Sequence, residues 1–348
     1  MPELPRLSVI VVVFDMPRQA MNTLSSLSAD YQHGVTGDEY EVIVVENESA
    51  NMLDSQAVVS LGDNIRYFRR AEAGVSPVPA LQFGVSQARG RQLGIIIDGA
   101  QMASPRVIEY ALMADVMSDD AVVAVPGYHL GEADQKDHLS TGHSEELEKQ
   151  RLQELDWQAN GYRLFQFASF SSGNKAGYLQ PMMESSALFC RTLSYQAIGG
   201  APSAFDQPGG GSINLYLYRR LLLRATAQLF LLAGEGSFHQ FHGGVTTAEI
   251  ERREDLLTSF NERLREQLGE DTKSTAREPI VLGAVSHYAQ PWLLESLQRS
   301  MRRFAIHAKQ ERRFWDDENY DYWTEDQPSR ESELRSARPY DWEGNADG

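Results

Sequence analysis

From Leu7 the chain reads Leu-Ser-Val-Ile-Val-Val-Val-Phe, an apolar, β-branched run with little polar alternation. That pattern predicts a strand buried on both faces, as in a parallel sheet, rather than an edge strand with one wet face. Pro17 to Leu27 follows, with Pro at a first helical position and Ala20, Leu24 and Leu27 on one side, which predicts a helix. After the polar loop His33 to Glu39, Tyr40-Glu-Val-Ile-Val-Val-Glu-Asn-Glu-Ser is a second buried run. Strand, helix and strand at this spacing make a βαβ unit. The alternation continues with strands at Asn64–Phe68, Leu93–Ile97 and Ala121–Val125 and helices at Val78–Ala88 and Pro105–Met117. The expectation is an α/β fold, an open mixed sheet with helices on both faces. Polar residues close three strands, at Phe14-Asp15, Glu46-Asn-Glu-Ser and Asp98-Gly-Ala, on the rim where such sheets bind ligands.

The second half is less regular. Ser144 to Trp157 is rich in Glu, Lys, Gln and Arg and reads as a solvated helix face. Ser171 to Gly177 has the composition of a loop, and Ala187–Cys190 that of a strand. A helix is expected between Pro208-Gly-Gly-Gly-Ser and Arg224. The strand Gln228–Leu232 runs on into Gly234-Glu-Gly-Ser-Phe-His-Gln-Phe-His-Gly-Gly. Trp292 to Lys309 places Leu293, Leu297, Met301 and Phe304 on one helical face, which suits either a helix docked on the core or a partner or membrane-surface helix. From Glu311 onward there are 12 acidic residues against 5 arginines, the composition of a mobile acidic tail.

Composition narrows the class. With 42% hydrophobic and 23% charged residues in 348, a sizeable core can form and global disorder is excluded. A formal charge of −17 argues against a nucleic-acid-coating protein. The single cysteine, Cys190, cannot form an intramolecular disulfide and reads as a buried strand residue. No apolar run approaches the roughly 18 residues of a membrane helix, and Met1-Pro-Glu-Leu-Pro-Arg lacks the apolar region of a secretory signal. A cytoplasmic address is expected, with peripheral contact at the inner face of the membrane as its variant.

Four segments in order carry a resemblance to a known family. Ser8-Val-Ile-Val-Val-Val-Phe, Glu41-Val-Ile-Val-Val-Glu-Asn-Glu-Ser, Leu93-Gly-Ile-Ile-Ile-Asp-Gly-Ala, and Ala187-Leu-Phe-Cys-Arg through Ile198-Gly-Gly-Ala-Pro-Ser-Ala-Phe-Asp together resemble the GT-A glycosyltransferases, in particular the family-two bacterial sugar transferases. They span Leu7 to Gly244, about two thirds of the chain. The resemblance implies one GT-A-type domain over residues 1–310. Within it lie a nucleotide-binding half at about 1–130, an acceptor half at about 131–250 and C-terminal helices at about 250–310; residues 311–348 are the tail.

It also implies a nucleotide-sugar donor of UDP or GDP type, a divalent cation (Mn²⁺ or Mg²⁺), and a glycan, lipid-linked or small-molecule acceptor, as in bacterial surface-polysaccharide assembly. By position Phe14 would lie against the base, Glu46 would stand where the family has an Asp toward the base or ribose, and Arg69 or Arg70 would be near the nucleotide. A capped loop start is the alternative for Glu46. The family's Asp-x-Asp motif reads here Asp98-Gly99-Ala100, without the second carboxylate. Asp98 with the late histidines His239 and His242 would hold the metal or diphosphate, the alternative for the histidines being ordinary polar packing. The segment that carries the family's catalytic base is Gly211-Ser-Ile-Asn-Leu here, with no carboxylate, which leaves Asp206 and Glu184 as candidates. A second reading is a degenerate domain of this type that binds or scaffolds without turnover. A third, a nucleotidyltransferase, lacks a Gly-rich loop with a Lys after the first strand.

Overall fold

A computed structural model describes residues 4–71, 75–132, 143–171, 174, 177–178, 182, 184–242, 253–269 and 277–309. The acidic tail from Glu311 lies outside the described residues, as does most of the loop Ser171 to Gly177. Strands β1 (Leu7–Val13), β2 (Tyr40–Asn47), β3 (Ile65–Arg70) and β4 (Gln92–Ile96) form the expected parallel run in the order β4-β1-β2-β3. Both β1 and β2 are buried along their whole length. Their period of two divides the side chains between two cores. Val9, Val11 and Val13 join Ala20 and Leu24 of α1 (Pro17–Ser26) on one face. Ile10 and Val12 join Leu81 of α3 (Val78–Gln87) on the other; α2 is the short helix Ser55–Val59.

Two more elements of the series follow the prediction closely, α4 (Val107–Met117) and β6 (Ala121–Ala124), while the three-residue β5 (Gln101–Ala103) precedes them. Strand β9 (Leu188–Arg191) lies antiparallel between β4 and β6, and β10 (Gln228–Leu231) and β12 (Ile280–Val281) extend the sheet to eight strands. The fold is a mixed α/β sheet with helices on both faces. Cys190 is buried in β9, where burial pushes its thiol up to about 12.

Hydrophobic periodicity did not predict the second sheet, β5-β11-β7-β8, built from β5, β7 (Gly127–Leu130), β8 (Ala168–Phe170) and β11 (Ser237–His239). Strands of three or four residues are too short to show a period, and an aromatic core holds them instead. Tyr128 stacks between Phe170 and Phe238, with ring centres 5.7 and 5.4 Å away, and Trp292 meets it edge-on at 5.3 Å. Trp292 belongs to α9 (Gln290–Lys309), so this helix docks on the core, its indole N–H donating to the Phe165 carbonyl at 3.0 Å. The charged stretch forms α5 (Glu145–Leu155), but it is not wholly a solvated face: Glu148 and Leu152 are buried. Helices α6 (Thr192–Ala197) and α8 (Arg253–Leu268) add to the expected α7 (Ile213–Leu222).

Two tight points generate predictions. At the turn before β4, the Gly90 N–H donates to the Ser8 hydroxyl at 2.8 Å, and a Cβ on Gly90 would lie 2.7 Å from the Leu7 and Ser8 backbone. Backbone cannot rotate away as a side chain can. Gly90→Ala is therefore expected to lower stability by about 2 to 3 kcal/mol, read as an earlier urea midpoint with unchanged slope.

Fully buried Glu235 ties the second sheet to the start of α4. It accepts from the Ser104 hydroxyl at 2.5 Å, the Tyr162 hydroxyl at 2.7 Å and the Arg106 N–H at 3.2 Å. Burial pushes its carboxyl up to about 7 from an ordinary 4.5, against these donors. The folded state thus keeps its proton to higher pH than the unfolded chain, so the contribution is complete below pH 4.5 and is lost as pH rises toward 7. Between those limits wild type is expected to lose about 3 kcal/mol more stability than Glu235→Gln, measured by urea unfolding across pH.

Candidate functional site

The strand order supplies the first coordinate of the site. After β1 the chain builds β2 and β3 on one side and then returns to place β4 on the other, so order reverses at β1. In open α/β sheets the crevice beyond the carboxyl ends at such a point takes the ligand. Phe14 and Asp15 leave β1 there, and Asp98 stands just after β4. Asp15 turns with φ of +54°, and its carboxylate accepts the Asn51 backbone and side-chain N–H groups, both at 3.0 Å. Phe14 is left 51% exposed, an aromatic face open to a planar group. Gly99 packs against the end of β1, where a Cβ would lie 3.2 Å from the Val12 carbonyl oxygen.

The second coordinate is the small sheet. Strand β11 pairs antiparallel with β5, with His239 opposite Gln101, and the Gln240 N–H donates to the Ala100 carbonyl at 2.9 Å. Because β5 begins three residues after Asp98, this register carries both histidines to the aspartate. His239 Nε2 lies 2.9 Å from Asp98 Oδ2, His242 Nε2 lies 3.3 Å from the same oxygen, and the two nitrogens are 3.2 Å apart. The other Asp98 oxygen accepts the Ala100 N–H at 3.0 Å. The aspartate keeps 31% of its side chain exposed, so the cluster opens to solvent.

Charge is distributed unevenly over the three. Burial would raise the Asp98 carboxyl, but the positive charge of His242 and the hydrogen bonds from both imidazoles outweigh it and hold the group well below the usual carboxylate range. Burial pushes His239 down, which leaves it neutral. The same burial acts on His242, yet the Asp98 charge prevails and raises it. An ionised carboxylate and imidazole nitrogens are donors for a divalent cation. At metal–ligand distances of about 2.1 Å, neighbouring donors sit about 3.0 Å apart in an octahedron and about 3.4 Å apart in a tetrahedron. Triangle edges of 2.9, 3.2 and 3.3 Å fit one face of either polyhedron. Three protein donors leave positions for ligand oxygens. Among the described residues this is the single group of three metal-ligating side chains.

The other sequence candidates fall in different places. Glu46 is fully buried, with both carboxylate oxygens taken by the Leu53 N–H at 3.0 and 3.2 Å and one also by the Tyr67 hydroxyl. Those are the contacts of a capped loop start. Arg69 is exposed, lies over the Tyr67 ring at 5.5 Å and donates to the Leu53 carbonyl at 3.1 Å. Glu46 and Arg69 therefore brace one loop from two sides. Asp206 is 72% exposed, 3.8 Å from Arg263. Glu184 feels the charges of Arg219 and His129, and burial raises its carboxyl. His129 in turn meets the His239 ring edge-on at 5.1 Å. The sequence placed Asp15 on the ligand rim without its hold on Asn51, and it gave no sign of His129, whose place beside His239 arises from a strand pairing that no motif marks.

No protein-family model matches this sequence, and no curated protein matches it. Solved structures do resemble the fold. S. aureus TarS is 12% identical with a TM-score of 0.47, over 85% of this chain and 49% of TarS, so the chain spans about half the length of that protein. The 1–349 portion of TarS in complex with UDP-GlcNAc is 11% identical with a TM-score of 0.48, over 89% of this chain and 93% of that one. The mannosyltransferase PcManGT from Pyrobaculum calidifontis, in complex with GDP-Man and Mn²⁺, is 14% identical with a TM-score of 0.47, over 88% of this chain and 76% of that one.

Proposed function

We propose that this chain is a GT-A-type glycosyltransferase that takes a sugar from a nucleotide diphosphate donor bound beyond the carboxyl ends of β1 and β4. The observation that carries the reading is the triangle of Asp98, His239 and His242 at the point where strand order reverses. A divalent cation held there would supply the positive charge that offsets a leaving diphosphate. Phe14 offers its exposed face to the base. Glu46 and Arg69 keep the loop beside it in shape through Leu53.

Between the two carboxylates proposed for the acceptor side, Glu184 is the better placed. It shares an electrostatic environment with His129, which touches His239, whereas Asp206 faces solvent beside Arg263. Burial also raises the Glu184 carboxyl, which makes its carboxylate more basic and so more able to take a proton from an acceptor hydroxyl. The acceptor itself is proposed as a glycan, lipid-linked or small-molecule hydroxyl. No helix among the described residues is long and apolar enough to cross a membrane.

One observation favours the second reading, a binding module without turnover. Ala100 is fully buried where the resemblance calls for a second acid, so that position offers no ligand to the crevice. Calorimetry with UDP, GDP, CMP and dTDP, each with Mn²⁺, Mg²⁺ or EDTA, separates the two. Metal-dependent binding of one nucleotide is expected, weakened at least tenfold in Asp98→Asn and His242→Ala. Glu184→Gln is expected to keep that binding and to lower turnover of the matching sugar nucleotide about a hundredfold or more. A folded protein silent to every nucleotide would sink the transferase reading.

Protons compete with the cation at the same site. His242 is raised above its ordinary 6.5 by the Asp98 charge, so a cation would compete with a proton for it up to a higher pH than at an ordinary histidine. Mn²⁺ affinity is expected to fall about tenfold per pH unit once His242 is protonated. His242→Ala should flatten that dependence in a Mn²⁺ titration followed by electron paramagnetic resonance.

A further inference from the structure

Helix α5 reaches the histidine pair through one buried carboxylate. Glu148 has no exposed surface, although six of the eleven residues of its helix are charged. Its Oε2 accepts the backbone N–H of Phe241, the residue before His242, at 2.7 Å. His143 Nε2 lies 3.6 Å from the same Oε2, and Oε1 accepts from Arg18 at 3.1 Å. The carbonyl of Phe241 accepts from Gln19 at 2.8 Å and from the same Arg18 nitrogen at 3.2 Å, both residues of α1. Gln240 is fixed in the same way, donating to the Gln19 carbonyl at 2.8 Å and accepting from Asn22 at 2.8 Å.

Both peptide groups of Phe241 are thus gripped between two helices. The sheet fixes His239, and the Gln240 N–H still donates to the Ala100 carbonyl, but Phe241 and His242 lie beyond the end of β11. A one-residue drift there would carry the His242 ring off Asp98, because a donor set tolerates displacements of only a few tenths of an ångström. We propose that Glu148 is a positioning residue for the metal site: by holding the Phe241 N–H it keeps the His242 Nε2 turned to Asp98, beside the sheet-held His239. The proposal rests on the metal-dependent reading of that site.

Mn²⁺ titrations by electron paramagnetic resonance at one pH test it, on the full chain, with thermal melts to show that each variant folds. Glu148→Ala is expected to weaken Mn²⁺ binding ten- to a hundredfold, the usual effect of removing a group that orients a ligand. Glu148→Gln retains an acceptor for the Phe241 N–H and should restore binding to within about threefold of wild type. Glu148→Asp, whose shorter side chain withdraws the carboxylate, should be weaker than wild type and serves if the alanine variant does not fold. Glu154→Gln, on the exposed side of the same helix, should bind as wild type does.

Wild-type affinity in both Glu148→Ala and Glu148→Asp, with binding abolished in Asp98→Asn, would overturn the role of Glu148 and leave the metal reading intact. Failure of Glu148→Gln to recover binding would also overturn it, by showing that the charge and not the hydrogen bond matters. A folded wild-type chain that binds no Mn²⁺ would overturn the metal reading, and this proposal with it.

Discussion

The antiparallel pairing of β11 with β5 is the constraint on which the site depends. Strand β4 ends at the rim of the large sheet, and a lone aspartate there would be an ordinary solvated carboxylate. Because β5 starts only three residues later and takes β11 as its partner, the residues after β11 must pass over Asp98. Two imidazoles then share one carboxylate oxygen. The pairing is only three residues long, so backbone hydrogen bonds alone would hold it weakly. The aromatic stack around Tyr128 packs the small sheet against Trp292 of α9, and the buried hydrogen bonds of Glu235 tie it to the start of α4.

That division explains what the sequence could and could not reveal. The elements of the large sheet were readable because β1 and β2 are long enough to display an unbroken β-branched run, and because such runs are stable only when covered on both faces. Asp98, His239 and His242 could be named as a set only through a family resemblance; nothing in their spacing, 141 residues apart between the first two, shows that they meet. Glu148 was hidden more thoroughly. Among the glutamates of α5 it has no local mark, and its burial follows from the approach of Phe241 and Arg18, both distant in the chain. Glu46 shows the converse: a polar residue at a strand end on the ligand rim, spent on the Leu53 N–H of its own loop.

The buried Ala100 leaves the proposed metal site with one carboxylate. With one acid, the site carries less negative charge than a paired-carboxylate motif, and two neutral imidazoles would not replace it. The charges of Glu148 and Glu145 add a smaller contribution to that of Asp98 in raising His242. Asp98 is held low and His242 is raised by their mutual attraction, and on the proposed reading a proton on His242 and a cation at Asp98 would be alternatives at the same atoms. The Phe241 clamp needs no rearrangement between the two states, because it acts on backbone groups that neither the proton nor the metal touches.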